Sequence, residues 1–305
     1  MSYRLARFNR AEMAQPIQLT KRDRDIIRLV QQHRFLRSSH ILALIDGSSQ
    51  QILRRLQLLY HHGYLERPRA QLDYFLQGGG SRHIVYGLSS KGAELLNQQT
   101  DPPVQWINWG AKNRFVGRVF IDHSLLVSDI MVKIELACRA DGHIRLISED
   151  ELMFRSNKRQ LVKWKVALPN GTQIGIMPDR VFALEYSGDN KKWERAYFFL
   201  EADRGTMPVN RRNLNQTSFY RKLLAYQSTW SQAIHRIRFG FHRFRVLTVT
   251  STPQRINSLR NACSKLKAGH GLFLFTDQAE FENAPDILSH QWQTARPGQT
   301  TTLLK

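Results

Sequence analysis

Residues 198–206, FFLEADRGT, run an apolar strand straight into Glu201, Asp203 and Arg204. Tyr197, Phe198, Phe199 and Leu200 read as a buried strand, and a buried charge without a partner costs more than one side chain repays. Any fold of this chain must release those charges into solvent at the strand end or supply partners for them. Successive side chains alternate faces, so Glu201 and Asp203 point one way and Ala202 the other. The run GIMPDRVFAL (175–184) reads as a strand that turns back through SGDNKK into ERAYFFLEAD (194–203). A twisted hairpin of this kind brings Asp179 beside Glu201 and Asp203. Three carboxylates on one face repel unless protons or a divalent cation intervene. Mg²⁺ and Mn²⁺ take oxygen ligands and keep several waters. Such an ion polarises a phosphodiester and helps ionise a water or hydroxyl nucleophile. Asp179, Glu201 and Asp203 are therefore candidate catalytic and metal-binding residues. The plainer alternative is a structural Asp–Arg pair at a strand end and a Pro–Asp turn.

The charge of the chain points to the same partner. Its 305 residues hold 45 Lys+Arg against 25 Asp+Glu, a formal +20, which favours polyanions. No apolar run is long enough to span a bilayer, and MSYRLARFNR lacks an apolar signal core. The expectation is a cytoplasmic protein whose partner is nucleic acid rather than a membrane. Cys138 and Cys263 are too few for a zinc quartet and do not suggest a disulfide framework. From Arg204 to Thr276 there is no Asp or Glu, while the same 73 residues hold thirteen Lys+Arg. One-signed charge over such a length has the footprint of a phosphate-backbone site; a merely solvated basic face is the alternative. Arg221, Arg236 and Arg238 are its candidate DNA contacts.

Residues 1–18 read as a polar, flexible N-terminus. The pattern over 19–35 predicts a helix with Thr20 as N-cap and Asp23 at the capping-box position. A second helix follows over 38–46 and a third over 48–63. The third carries Ile52, Leu56 and Leu59 on one face, with Gln50, Gln51, Arg54 and Arg55 largely off it. DYFL and HIVYGL read as strands joined by the tip Gly78–Arg82, and SSKGAELL reads as a closing helix. This is the order of a winged helix-turn-helix over 19–97, the third helix reading the groove and the hairpin forming the wing. Gln51, Arg54, Arg55 and, from the wing, Arg82 are the candidate contacts to double-stranded DNA. Residues 98–115, with Pro102 and Pro103, read as a linker. A mixed α+β and α/β domain over 116–276 and a weakly patterned tail, 277–305, complete the chain.

The order Pro178–Asp179, a spacer, then Glu201-x-Asp203 after an apolar strand resembles the PD-(D/E)xK, restriction-endonuclease-like nucleases. Behind a winged helix come HIVYGLSSKGAELL, DHSLLVSDI, SEDEL, MPDRVF, FFLEADRGT and YRKLLAY. That layout, over roughly 20–240, resembles the replication-relaxation family of plasmids and other mobile elements. It is also similar to mobilisation relaxases with a restriction-endonuclease fold. The resemblance implies a restriction-endonuclease-like α/β domain behind the winged helix. It also implies a DNA endonuclease, a nickase or relaxase, dependent on Mg²⁺ or Mn²⁺. The DNA would be a transfer or replication origin, with accessory mobilisation or replication proteins as partners. The lysine such nucleases carry two residues after the glutamate is Asp203 here. Families of this type sometimes move it to the following helix, which makes Lys222 the candidate for stabilising charge on the phosphate, with Arg204 as alternative. Tyr220 and Tyr226 are candidates for binding DNA or attacking phosphorus, and His123 and Glu151 for supporting positions. The rival reading is a non-catalytic winged-helix regulator or replication-initiation factor with an inert nuclease-like domain. No Walker loop, Gly-x-Ser-x-Gly elbow or relaxase-type histidine cluster occurs in the sequence.

Overall fold

The computed structural model describes residues 6–12, 15–72, 83–98, 109–155, 163–168, 171–188 and 193–304. The chain divides into two compact units, Met1–Val132 and Lys133–Lys305.

The first unit begins its regular structure where the capping box predicts. Asp23 N donates to Thr20 Oγ1 at 3.3 Å, and Thr20 N donates to the Asp23 carboxylate at 2.7 Å, which starts α1 (Lys21–His33). Ile26, Ile27 and Val30 are fully buried. The helix stops before Phe35 because Arg34 takes φ 69°, and Phe35–Arg37 leave as strand β1. Next come α2 (Ser38–Leu44) and α3 (Ser49–His61), whose Ile52, Leu56 and Leu59 are fully buried as the pattern requires. Strands β2 (Leu65–Glu66) and β3 (Val85–Leu88) join β1 in an antiparallel sheet of order β1-β3-β2. Gly87 stands opposite Phe35, where a Cβ would come within 2.7 Å of the phenyl ring, so glycine lets that ring lie across the strand. Helices α4 (Ser90–Asn97) and α5 (Trp109–Arg114) follow, then the first half of α6 (Arg118–Asp141), whose Ile121 and Leu125 pack with Phe35 and Val85. The tip of the expected wing, Arg82 included, and residues 99–108 of the expected linker lie outside the described residues.

The N-terminal segment, where it is described, bonds to the rest of the first unit. Arg10 donates to Tyr60 O at 3.0 Å and Leu65 O at 2.9 Å, and pairs with Glu66 at 2.8 Å. Ala11 N donates to His61 Nδ1 at 3.0 Å. The cause is Glu66, a carboxylate only 3% exposed, which must find cations and takes them from Arg10 and Arg114.

The second unit holds a mostly antiparallel seven-stranded sheet. Its strands are β4 (Ile144–Ile147), β7 (Arg180–Ser187), β8 (Trp193–Ala202), β9 (Arg245–Thr250), β10 (Phe273–Asp277), β11 (Trp292–Thr294) and β12 (Thr300–Thr301). The order is β12-β11-β10-β9-β8-β7-β4, with β8, β9 and β10 parallel. Helix α7 (Glu149–Arg155) precedes a separate hairpin, β5 (Trp164–Ala167) and β6 (Gln173–Ile176). The single strand expected over 175–184 is thus two, parted at Met177–Pro178–Asp179, where proline has no N–H for a ladder. Helices α8 (Phe219–Ser231) and α9 (Ile234–Phe239) lead from β8 to β9, and α10 (Pro253–Cys263) leads from β9 to β10. Phe199, Leu223, Tyr226, Val246, Ile256 and Phe275 share the core between these helices and the sheet. The residues after 276 are a part of the fold: they form α11 (Gln278–Asn283), β11 and β12. Among the described residues no helix is long and apolar enough to cross a membrane.

Candidate active site

The β7–β8 ladder runs from Ser187↔Trp193 to Arg180↔Leu200, and one step further Asp179 stands opposite Glu201. Asp179 N donates to Leu200 O at 2.9 Å, and its carboxylate accepts from Ala202 N at 2.7 Å. Helix α8, capped by Ser218, presents Lys222 and Tyr226 four residues apart on one face. Both reach the same carboxylate. Lys222 Nζ lies 2.5 Å from Glu201 Oε2, and Tyr226 Oη donates to Glu201 Oε1 at 2.6 Å. Glu201 and Tyr226 are each 1% exposed.

Burial pushes the Glu201 carboxyl above the usual range; nearby Asp179 adds to this, and Lys222 and Tyr226 oppose it. For Lys222, burial works against the charge, but Glu201 and Asp179 outweigh it and the ammonium is held above its ordinary value. Burial, then the negative field of Glu201, raises Tyr226 well above the phenol range. Tyr226 is accordingly held as a buried hydrogen-bond donor to Glu201. On the neighbouring parallel strand, fully buried Thr248 stands in register with Glu201. Its hydroxyl has no hydrogen-bond partner among the described residues.

Asp203 has other partners than those expected of it. Its Oδ2 accepts from Thr250 Oγ1 at 2.7 Å and Arg255 Nε at 2.8 Å; its Oδ1 accepts from Arg255 Nη2 and Gly205 N, each at 3.2 Å. Arg255 also donates to Met207 O at 2.6 Å, so Asp203 anchors the chain leaving β8 to the start of α10. Among the described residues no group of three or more His, Cys, Asp or Glu side chains is arranged to hold a metal ion.

The remaining candidates scatter. Arg204 is half-buried next in sequence to Asp203. Glu151 pairs with Arg145 at 2.8 Å. Its neighbour Glu149, not singled out by sequence, instead reaches the start of β7 and accepts from Val181 N at 3.3 Å. Burial raises the Glu149 carboxyl, with Arg180 opposing. His123 belongs to α6 in the first unit. Arg221 is partly buried, Arg236 is exposed, and Arg238 donates to Lys163 O at 2.7 Å. Thr250 and Arg255 went unnoticed because they lie 47 and 52 residues from Asp203, with no local pattern to link them.

In the first unit, Gln51 and Arg54 are exposed on α3 and help line an open cleft of about 510 Å³ with Lys21 and Arg22. Arg55 lines the same cleft but is bound to Asp23. Its Nε donates to Asp23 Oδ1 at 2.8 Å and its Nη2 to Gln18 O at 3.1 Å, with a second close bond to Asp23 Oδ2. Asp23 is fully buried, so Arg55 is drawn in to neutralise it.

A family model described as replication-relaxation matches residues 27–240, a span that takes in α3, Asp179, Glu201 and Lys222. The chain belongs to the replication-relaxation family. No curated protein and no solved structure gives a significant match. Membership suggests a role in replication or mobilisation for this replication-relaxation protein.

Proposed function

We propose that this replication-relaxation protein is a DNA-binding, metal-dependent endonuclease that nicks DNA in the replication or mobilisation of a plasmid or other mobile element. The observation that carries this reading is the meeting of Lys222 with Glu201 beside Asp179. It is the arrangement expected of a PD-(D/E)xK, restriction-endonuclease-like site whose lysine has moved to the following helix. In the first unit, three helices and a strand-paired β3 support a winged helix that presents Gln51 and Arg54 to double-stranded DNA. A transfer or replication origin is the proposed substrate, and accessory replication or mobilisation proteins the proposed partners.

The donor set fits a hydrated Mg²⁺ or Mn²⁺. Asp179 and Glu201 offer oxygen ligands, and two carboxylates with substrate phosphate make an ordinary magnesium site. The Thr248 hydroxyl next to Glu201, without a hydrogen-bond partner among the described residues, suits a bound water. When bound, the ion supplies Lewis acidity and helps ionise the attacking water. Lys222 stabilises the charge that develops on phosphate, and Tyr226 holds Glu201 in orientation. Asp203 keeps the strand end in place through Arg255.

The test is supercoiled plasmid incubated with the protein and Mg²⁺ or Mn²⁺, against chelator. Open-circular product that disappears with chelator and with Glu201→Gln or Lys222→Ala supports the assignment. If no divalent ion yields nicking, the better reading is a non-catalytic DNA-binding replication factor. One observation favours that reading: each oxygen of Glu201 and of Asp203 already has a protein donor.

A further inference from the structure

Between β8 and α8 the chain makes an excursion, residues 203–218, whose ends are both held. At the helix end, Phe219 N donates to Pro208 O at 3.0 Å and Tyr220 N to Val209 O at 2.8 Å. These bonds satisfy amides that a first helical turn otherwise leaves open. They also fix the loop to α8 at a point two residues before Lys222, about 3 Å along the axis at the helical rise. At the strand end, Arg255 bridges Asp203 and Met207 O, and Gly205 makes the turn with φ 72°. Within the loop Arg211 folds back, with Nε on Thr217 O at 3.1 Å and Nη1 on Gln216 Oε1 at 3.2 Å. Asn215 N donates to Asn213 Oδ1 at 2.8 Å. The result is a compact surface loop closed at its neck, a type that is frequently functional.

Its tip is chemically one-sided. Arg211, Arg212, Asn213, Asn215, Gln216 and Thr217 are exposed. No Asp or Glu occurs between Asp203 and Asp277, and Asp203 is bonded to Arg255, so no acid of 204–218 or of α8 competes for these groups. Guanidinium, amide and hydroxyl side chains are the ones that bind phosphate and sugar oxygens without regard to sequence.

We infer that loop 203–218 seats a DNA strand by its phosphate backbone, Arg211 shaping the loop and Arg212 contacting phosphate, and so carries the strand to the Glu201–Lys222 site. This rests on the proposed DNA-nicking role. The experiment is fluorescence anisotropy of a labelled duplex and of its single strand, titrated with the full chain over a range of salt. The proteins compared are wild type, Arg212→Gln, Arg212→Lys and Arg296→Gln, the last an exposed arginine outside the acid-free stretch. Arg212→Gln is expected to bind about tenfold more weakly at low salt. Its log–log salt slope should be shallower by about 0.9 on duplex or about 0.7 on single strand. Arg212→Lys should keep the wild-type slope, and Arg296→Gln should match wild type in both respects. If wild type binds DNA and Arg212→Gln retains its affinity and slope, the loop is not the seat, and the nicking role stands apart from that failure. Equal losses in Arg296→Gln and Arg212→Gln would also overturn it, as a diffuse charge effect. A wild-type chain without affinity for either DNA overturns both readings.

Discussion

Asp23 in the first unit and Glu201 in the second are both buried carboxylates bonded to a cation from a helix, yet their proton affinities move in opposite directions. Burial pushes Asp23 upward, but the Arg55 bond, then those to Thr20, outweigh it and hold its carboxyl below the usual range. Burial pushes Glu201 upward as well, and there Lys222 and Tyr226 do not overcome it, because Asp179 adds negative charge close by. The difference is one of completeness. Asp23 receives two bonds from Thr20 and two from Arg55, three of them on Oδ2, twice the number Glu201 receives. Glu201 receives one bond on each oxygen and keeps capacity for another ligand. A closed pair of the first kind serves the fold; an open one beside a second carboxylate is suited to chemistry.

The widest separation between the two pairs is expected in strand cleavage. Lys222→Ala should slow plasmid nicking by about 10²–10³-fold, while Asp23→Ala should leave the rate per folded molecule unchanged; equal losses would erase the distinction. Stability should order them the other way. Asp23→Ala removes both a cap and the partner of Arg55 and should cost about 3 kcal/mol in a urea titration. Lys222→Met should cost less, because Glu201 keeps the Tyr226 bond and its burial favours uptake of a proton. Next is recognition: Arg54→Ala should lose about 1–3 kcal/mol of discrimination between target and non-target duplex. Arg55→Ala should instead act through unfolding, and a footprint lost in Arg55→Ala at full stability would contradict the closed-pair assignment.

The smallest effect concerns pH. Tyr226→Phe should cost about 1 kcal/mol of stability and move the acid limb of the nicking profile to higher pH, since the phenol lowers the Glu201 pKa. The two carboxylates also give opposite linkage. Asp23, held below 3.8, contributes stability that is present above that value and lost as pH falls through the folded value. Glu201, raised above 4.5, contributes stability that is present below that value and lost as pH rises through the folded value. Urea titrations of Asp23→Asn and Glu201→Gln across this range should lose these two opposite slopes; slopes of one sign would break the comparison.

Much of both sites was legible because it depends on neighbours in sequence. Thr20 and Asp23 are three residues apart and make the capping box that their spacing predicts. Ile52, Leu56 and Leu59 bury one face of α3, and Lys222 and Tyr226, a turn apart, reach one carboxylate. Helical and strand periodicities follow from local backbone geometry, so the residue pattern determined these faces directly. The same pattern put Asp179 and Glu201 on one hairpin, and it determined the one-signed charge from Arg204 to Thr276. What only the tertiary structure decided is which charges are already spent. Arg55 goes to Asp23 across 32 residues, and Asp203 goes to Arg255 across 52. A buried carboxylate takes whichever cation the packing brings within reach, at a cost set by desolvation rather than by sequence distance. That choice ties Arg55 to Asp23 and Asp203 to Arg255, although Asp203 still adds to the negative field at Lys222.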